Sequence, residues 1–366
     1  MANSAGRIKT VVIIVKENHT FDNYFGAFPS ANGDPTLPKT PNPPKSDPNH
    51  THQAWLDRKT TATRLGYKEA DIPAYFAYGR QFTLCDNVFS AVAGPSTPNH
   101  LMIIAADSPV IDNPPSYRRG TAETTYDLPS LPDNLDAAGL TWTNYGTGYP
   151  FDLITNLGKR NLKPQTALAE DAAAGGLANV SWVYGPSGLD EHPLANVTTG
   201  MDWTVGIVDA IAKGPQWPET AIFITWDCWG GWVDHVDPPL IEKWTDGTQF
   251  YPGGRVGCVV LSPYAQRGYI SHVQRTHVSL VKFCEMTFGL PSINHRDAAA
   301  DGMEDCVNFS APPNLTLPQA VDPAAAGATA KPARKKSRAK GSAAKKSSPA
   351  RRPGKKVNRK SSRKKR

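Results

Sequence analysis

Thr10–Lys16 reads TVVIIVK, an unbroken run of mostly β-branched apolar residues that ends at an acidic residue, Glu17. A strand that is apolar on both faces must be covered on both sides, so this run predicts an inner strand of a parallel sheet. Ligands and catalytic groups of such sheets lie beyond the carboxyl ends of the strands. Glu17 and Asn18 therefore stand where a functional site is expected.

The rest of the chain alternates strand-like and helix-like segments. The strand-like segments are 82–89, 140–145, 181–184, 221–226 and 257–261, and the helix-like segments are 70–79, 94–106, 202–213 and 279–288. This alternation predicts an α/β fold with a mainly parallel central sheet covered by helices on both faces. Residues 27–50 are rich in Pro, Asn and Asp and predict a long loop.

The net charge of +7 is the sum of two opposite parts. Residues 331–366 contain 18 Lys and Arg and no acidic residue. Subtracting these from the 40 basic residues of the whole chain leaves 22, against 33 acidic residues, so the first 330 residues carry −11. We predict a globular domain over 1–310, a Pro/Ala-rich linker over 311–330 and a disordered basic tail over 331–366.

The sequence contains no apolar run of the roughly 20 residues that a membrane helix needs. Its first ten residues lack the apolar stretch of a secretory signal. Five widely spaced cysteines, an odd number, fit a reducing compartment better than a disulfide framework. These features predict a cytoplasmic location.

Acidic residues follow two strongly apolar strands. Glu17 and Asn18 follow the first strand, and Asp227 follows 221–226. Side chains at the ends of parallel strands converge at one edge of the sheet, and their hard oxygen atoms suit a divalent cation. The alternative is that these residues only cap neighbouring loops or helices.

Ser96 and Thr97 supply two hydroxyl groups at the start of the helix-like segment 94–106. A hydroxyl there is well placed to attack phosphorus, because helix amides favour the developing negative charge and a metal ion lowers the hydroxyl pKa. The alternative is a plain N-cap, which is far commoner in an arbitrary sequence.

Phosphoryl transfer also needs groups that contact the phosphate oxygens and an acid for the leaving group. Six of the nine histidines stand in suggestive positions: His50, His52, His192, His235, His272 and His277. The other three, His19, His100 and His295, we interpret as structural background.

Four segments together resemble a known family. ENHTFDNYFG resembles the motif ENRSFDHYFG, and GPSTPNH resembles GPT-x-PNR. AIFITWDCWGGWVDHVDPP is similar to ITYDE-x-GG-x-YDHVPPP, and LSPYAQRGYISH is similar to a later ISPYAK-G segment. Their order agrees over roughly residues 8–310. The chain thus resembles the bacterial phosphoesterases that include phosphatidylcholine-type phospholipases C and acid phosphatases.

The resemblance implies an alkaline-phosphatase-like α/β/α sandwich that hydrolyses a phosphate ester with metal assistance. It implies that Ser96 is the nucleophile, forming a phospho-Ser intermediate, and that His192 contacts the phosphate or protonates the leaving oxygen. The implied metal ligands are Glu17, Asn18, Asp227 and Cys228. The resemblance implies that His50 also contacts the phosphate. We further predict substrate contacts at Asn18, Thr97 and His235.

The sequence departs from the family pattern at three positions. Cys228 replaces a Glu, which predicts a softer metal such as zinc, a weakened site or a lost ligand, and leaves calcium, magnesium and zinc open. Thr97 is a second candidate nucleophile, and His100 stands where the family usually has Arg. The Cys228 replacement supports an alternative function: a catalytically impaired protein that binds nucleic acid.

The basic tail predicts binding of polyanions through counterion release. DNA or RNA is the leading partner, an anionic membrane surface is the rival, and the acidic domain itself is a third candidate. Residues 331–366 contain no aromatic residue, so base stacking and sequence-specific recognition are not expected. The sequence does not determine the oligomeric state.

Overall fold

The structure is a computed structural model that describes residues 6–115 and 125–321. The strands in this part of the chain are β1 (Thr10–Lys16), β2 (Thr83–Cys85), β3 (Val88–Phe89), β4 (Trp142–Tyr145), β5 (Leu162–Lys163), β6 (Val180–Tyr184), β7 (Thr220–Trp226), β8 (Glu242–Lys243), β9 (Gln249–Tyr251), β10 (Cys258–Leu261), β11 (Tyr269–Ser271) and β12 (Arg275–Thr276). The α-helices are α1 (Phe21–Phe25), α2 (His52–Leu56), α3 (Arg58–Thr61), α4 (Pro73–Gln81), α5 (Ser96–Ala105), α6 (Leu131–Ala137), α7 (Leu168–Ala174), α8 (Val197–Lys213), α9 (Val278–Phe288) and α10 (His295–Ala299).

The central sheet has eight strands in the order β11-β2-β10-β7-β1-β6-β4-β5. All run in the same direction except β10, which is antiparallel to both of its neighbours. Strand β1 lies between β6 and β7, and all seven of its residues are buried. The predicted inner strand and mainly parallel sheet are therefore confirmed. Strands β3 with β12, and β8 with β9, form two small separate sheets.

Most predicted elements are present, with shifted ends. Helix α8 begins at Val197, five residues before the predicted start, because the Asn196 side chain accepts hydrogen bonds from two backbone amides of the first turn. Segment 82–89 is two short strands, β2 and β3, rather than one. Ser96, predicted near the N-cap, is the first residue of α5, and Pro95 is the N-cap residue.

The long loop predicted over 27–50 contains no helix or strand in the structure, whose described residues include all of it. Residues 308–321 also lack regular structure, but Leu317 and Ala320 pack against the core and the Gln319 amide donates to Gln81 Oε1 at 3.0 Å. The predicted tail and the rest of the predicted linker lie outside the described residues, so the three-part division of the chain stays a prediction. No helix in 6–115 or 125–321 combines the length and apolarity needed to cross a bilayer.

Candidate active site

The ends of β1 and β7 bring the two predicted acidic positions together. Lys16 pairs with Trp226 in the sheet, so Glu17 and Asp227 begin the loops at the same edge. The Asn18 amide donates to Asp227 Oδ1 at 2.7 Å, which fixes one loop to the other. Glu17 and Asp227 are 210 residues apart in the sequence, and the direct pairing of β1 with β7 brings them together as expected.

A tight backbone contact holds Asn18 in place. Its φ of 65° lies in the left-handed region, which Asn tolerates better than most residues. A Cβ on Gly230, whose φ is 59°, would lie 2.0 Å from the Asn18 carbonyl oxygen. Only glycine fits there, so the WGG sequence after Cys228 positions Asn18.

Helix α5 brings the predicted nucleophile to this edge. Ser96 Oγ lies 3.2 Å from Glu17 Oε2 and 3.1 Å from Asn18 Oδ1, and its proton can go to either oxygen. Ser96 is 3% exposed. Its hydroxyl does not cap its own helix but contacts residues of the candidate metal site.

His100 belongs to the same group of side chains, although the sequence analysis treated it as background. Its Nε2 lies 3.1 Å from Glu17 Oε1 and 3.7 Å from Asp227 Oδ2. The available signal was its position four residues after Ser96, which places both side chains on one face of α5. Burial disfavours the imidazolium, but the charge and hydrogen bond of Glu17 together with the charge of Asp227 raise the pKa of His100.

Glu17, His100 and Asp227 each offer a ligand atom, and these atoms lie within 4.8 Å of one another. Asp227 Oδ2 is buried and has no hydrogen-bond partner among the described residues. Burial and the Glu17 charge raise the pKa of Asp227. Two carboxylates and an imidazole, with one buried oxygen that accepts no hydrogen bond, fit a divalent cation. The Asn18 side-chain oxygen is adjacent, since it accepts from Ser96.

Cys228, predicted as a ligand, makes a different contact. Its Sγ lies 3.0 Å from Asn18 Oδ1, to which the thiol donates, and 4.0 Å from Ser96 Oγ. Burial and the neighbouring Asp227 charge raise the pKa of the thiol well above its usual value. The side chain is therefore a neutral hydrogen-bond donor to Asn18.

Two histidines face the group from the surrounding loops. His50 Nδ1 lies 2.7 Å from the Pro48 carbonyl and His192 Nδ1 lies 2.6 Å from the Pro193 carbonyl. A carbonyl oxygen only accepts, so Nδ1 donates in both rings and Nε2 is left for other partners. For His50 that partner is the Asn18 side-chain amide at 3.4 Å. The ring centroids are 6.1 Å apart.

The two histidines line a cleft of about 810 Å³. The cleft also touches Pro95, the residue before Ser96, and Asn113. Burial opposes protonation of His192, but the charges of Glu17, Asp47 and Asp227 and the hydrogen bond with the Pro193 carbonyl together raise the pKa of His192. A histidine that holds its proton longer than usual at the wall of a cleft suits proton donation to a leaving group.

Two predicted contact residues are not brought to this group. Thr97 Oγ1 lies 3.1 Å from the Tyr149 hydroxyl, and the Thr97 amide donates to Asn113 Oδ1 at 2.8 Å. His235 lies in a second group of polar side chains, because the Asp22 carboxylate binds both its backbone amide and its ring at 2.7 Å. That group is centred on the buried Arg255, which contacts Asp22 and Asp234.

A buried ion pair lies directly behind the site. Lys16 Nζ is 3.2 Å from Glu191 Oε1, and both side chains are fully buried. The carboxylate also accepts from Tyr75, Tyr24 and Trp226 at 2.5, 2.8 and 3.2 Å. Because Lys16 precedes Glu17 and Glu191 precedes His192, the pair connects the backbones that carry both residues.

Comparison with known proteins gives one family. The sequence profile of the Phosphoesterase family matches residues 8–44 and 45–291. Phospholipase C B of Mycobacterium tuberculosis is 27% identical over 89% of this chain and 85% of that protein. Non-hemolytic phospholipase C of Pseudomonas aeruginosa is 25% identical over 88% of this chain and 60% of that protein.

The fold is also found in a solved structure of low sequence identity. Murine ectonucleotide pyrophosphatase/phosphodiesterase 5 superimposes with a TM-score of 0.51 and 8% identity, over 82% of this chain and 100% of that one. The predicted α/β fold with a mainly parallel central sheet and the family resemblance are both confirmed. The chain belongs to the Phosphoesterase family, whose members hydrolyse phosphoric ester bonds.

Proposed function

We propose that this enzyme hydrolyses a phosphodiester of the phospholipid type through a covalent phospho-Ser96 intermediate. The observation that carries the proposal is the position of Ser96 Oγ, within 3.2 Å of Glu17 and Asn18 at the start of α5. The names of the relatives, phospholipases C, support a lipid phosphodiester as substrate. A member of this family without such a hydroxyl would need another nucleophile.

The metal ligands in this proposal are Glu17, Asn18, Asp227 and His100. Imidazole with carboxylates suits zinc or a similar borderline cation better than calcium or magnesium. When bound, the metal polarises the phosphate and lowers the pKa of the attacking hydroxyl. Ligation of His100 would displace the proton that Glu17 now favours, so metal affinity should rise with pH.

The protein side chains carry the protons in both steps. Ser96 Oγ forms a bond to phosphorus while its proton passes to Glu17 or to solvent, and the bond to the leaving oxygen breaks. His192 gives that oxygen a proton from Nε2. In the second step His192 removes a proton from water and the water oxygen bonds to phosphorus. The bond from phosphorus to Ser96 Oγ breaks, and Oγ takes back a proton from Glu17 or from solvent.

Cys228 has a positioning role in this proposal. As a neutral donor it orients Asn18 Oδ1, whereas the predicted thiolate ligand would require loss of a strongly held proton. Cys228→Ser keeps a donor and should keep most of the activity. Cys228→Glu places a third carboxylate beside Glu17 and Asp227 and should raise metal affinity.

The test is hydrolysis of p-nitrophenylphosphorylcholine and p-nitrophenyl phosphate by the full chain with added zinc, calcium or magnesium. We expect turnover of the diester that Ser96→Ala abolishes and Thr97→Ala does not. Thr97→Ala is the matched control because its hydroxyl is adjacent but bonded to Tyr149. Turnover by Ser96→Ala, or turnover lost only in Thr97→Ala, would contradict the assignment. No turnover with any metal would favour the catalytically impaired alternative.

A second candidate activity is non-specific binding of DNA or RNA by residues 331–366. Its support is the sequence: 18 basic residues without an acidic or aromatic one. Counterion release predicts affinity that falls steeply as salt rises. A salt titration with and without these residues tests it, and equal binding by both proteins would refute it. Tail-dependent binding to anionic vesicles but not to DNA would assign the membrane instead.

A further inference from the structure

Three buried thiols lie together outside the catalytic group. Cys85 ends β2, Cys258 begins β10, and Cys306 ends the short 3₁₀ turn Glu304–Cys306. Cys85 and Cys258 are register partners in the sheet. Cys85 Sγ and Cys306 Sγ are 3.5 Å apart, and each of the three side chains is at most 1% exposed.

The two closest sulfur atoms need little movement to bond. A disulfide joins its sulfurs at about 2.05 Å, so the gap of 3.5 Å must close by about 1.5 Å. Each sulfur turns about its own Cα–Cβ bond, so side-chain rotation is the movement that the bond requires. Cys306 lies in a turn rather than in the sheet, so its backbone can also adjust more easily than that of Cys258.

We propose that Cys85 and Cys306 form a disulfide when this chain folds under oxidising conditions, while Cys258 stays a thiol. The oxidant is a small disulfide such as oxidised glutathione. The two thiols each lose a proton and together give up two electrons, one sulfur–sulfur bond forms, and the glutathione disulfide is reduced to two thiols. No other co-reactant is needed.

The surroundings of the pair decide when the bond can form. A hydrogen bond with Cys258 raises the pKa of Cys85, and the Cys85 hydrogen bond and burial raise the pKa of Cys306. The nearby Arg275 favours both thiolates but is itself bound to Asp301 and Asp305. Since the thiolate is the reactive form, the folded protein oxidises slowly, and the bond is a structural cross-link made during folding.

The expected consequence is a more stable domain. The bond would close a loop between positions 221 residues apart, which contains Ser96, His192 and Asp227. Closing a long loop restricts the unfolded chain more than closing a short one. We expect the cross-linked protein to melt roughly 5–10 °C above the reduced protein.

The experiment is refolding of the full chain from reducing denaturant, with and without a glutathione redox buffer. After alkylation of the remaining thiols, intact mass and peptide mapping should show the loss of two hydrogen atoms and a link between the Cys85 and Cys306 peptides. The cross-linked protein should carry three alkyl groups and the reduced protein five. This measurement on the natural sequence does not depend on any variant folding.

The variants sharpen the assignment. Cys85→Ala and Cys306→Ala should each remove the cross-link, while Cys284→Ala, a change at another buried thiol, should retain it. A link that includes Cys258, only glutathione adducts, or no link at all would overturn the proposal. So would a zinc ion held by the three sulfurs that blocks alkylation, or a melting temperature that does not rise on cross-linking.

Discussion

Two groups of buried charges lie at the same edge of the sheet, and they are partnered very differently. The Glu191 carboxylate is surrounded by donors: an ammonium, two phenols and an indole all donate to it. Around Asp227, two carboxylates face one histidine, and a buried Asp227 oxygen accepts no hydrogen bond among the described residues. Unmatched buried charge destabilises a fold, so its retention indicates a function.

The polar group around Arg255 also differs from the candidate metal site in how its carboxylates are partnered. Asp22, Asp234 and His235 have ligand atoms close enough for a metal, as do Glu17, His100 and Asp227. However, the buried guanidinium of Arg255 already binds both carboxylates, at 3.0 Å for Asp22 and 2.9 Å for Asp234. An internal cation occupies the place that a metal would take, so close acidic residues alone do not identify a metal site.

The largest expected effect is on catalysis at the candidate metal site formed by Glu17, His100 and Asp227. Asp227→Asn should lower kcat/KM by roughly 10³-fold, because it removes a ligand charge from the candidate metal site. In metal-free buffer the free energy of unfolding should stay the same or rise, since Asp227 lies near the like charge of Glu17. Diester hydrolysis and urea unfolding with a chelator measure both. A large loss of stability with the chelator present would show that the two groups do not differ as described.

The next largest effect is on stability at Glu191, whose carboxylate is fully hydrogen-bonded. Glu191→Ala leaves Lys16 and two tyrosine hydroxyls buried without their partner and should cost roughly 3–5 kcal/mol of unfolding free energy. Glu219→Ala is the matched control, because its pair with Lys9 is exposed and should cost less than about 1 kcal/mol. Equal losses in urea unfolding would contradict the distinction between the two environments.

The buried carboxyl group of Glu285 tests how incomplete hydrogen bonding changes the free energy of unfolding with pH. Glu285 is 1% exposed, and burial together with the adjacent Asp297 raises its pKa to about 8. The folded state thus keeps a proton that the unfolded state releases near pH 4.5. This group's contribution is complete below pH 4.5 and is lost as pH rises through 8.

The measurement is the difference in unfolding free energy between the natural protein and Glu285→Gln as pH is raised from 5 to 7. The variant should gain about 1.4 kcal/mol relative to the natural protein per pH unit, since it has no proton to release. Glu219→Gln, a change at an exposed carboxylate paired with Lys9, is the control variant. A flat difference for Glu285→Gln would mean that its carboxyl titrates normally.

The sequence predicted the elements that are formed by unbroken runs of apolar residues. Strands β1 and β7 are uniformly buried runs, and their polar ends were recognised as candidate ligands. The start of α8 was misjudged because the Asn196 cap, rather than apolar periodicity, decides it. Residues 311–321 read as linker because only isolated side chains, such as Leu317, contact the core.

The sequence predicted most residues of the candidate site but not which of them contact one another. Ser96 and Glu17 were identified. His100 was missed because its position four residues after Ser96 shows that the two share a helix face but not which residues that face meets. His235 was predicted as a substrate contact, whereas the structure pairs it with Asp22. Which polar residue meets which is decided by crossing loops and strand register, and a single sequence does not display these.

The most direct test of the central claim is acid quenching of the enzyme during turnover of p-nitrophenylphosphorylcholine with zinc, followed by peptide mass mapping. A phosphate-bearing adduct on Ser96, absent without metal and absent in Asp227→Asn, is the predicted result. An adduct on Thr97 or on a histidine, or full turnover without any adduct under rapid quenching, would contradict the account.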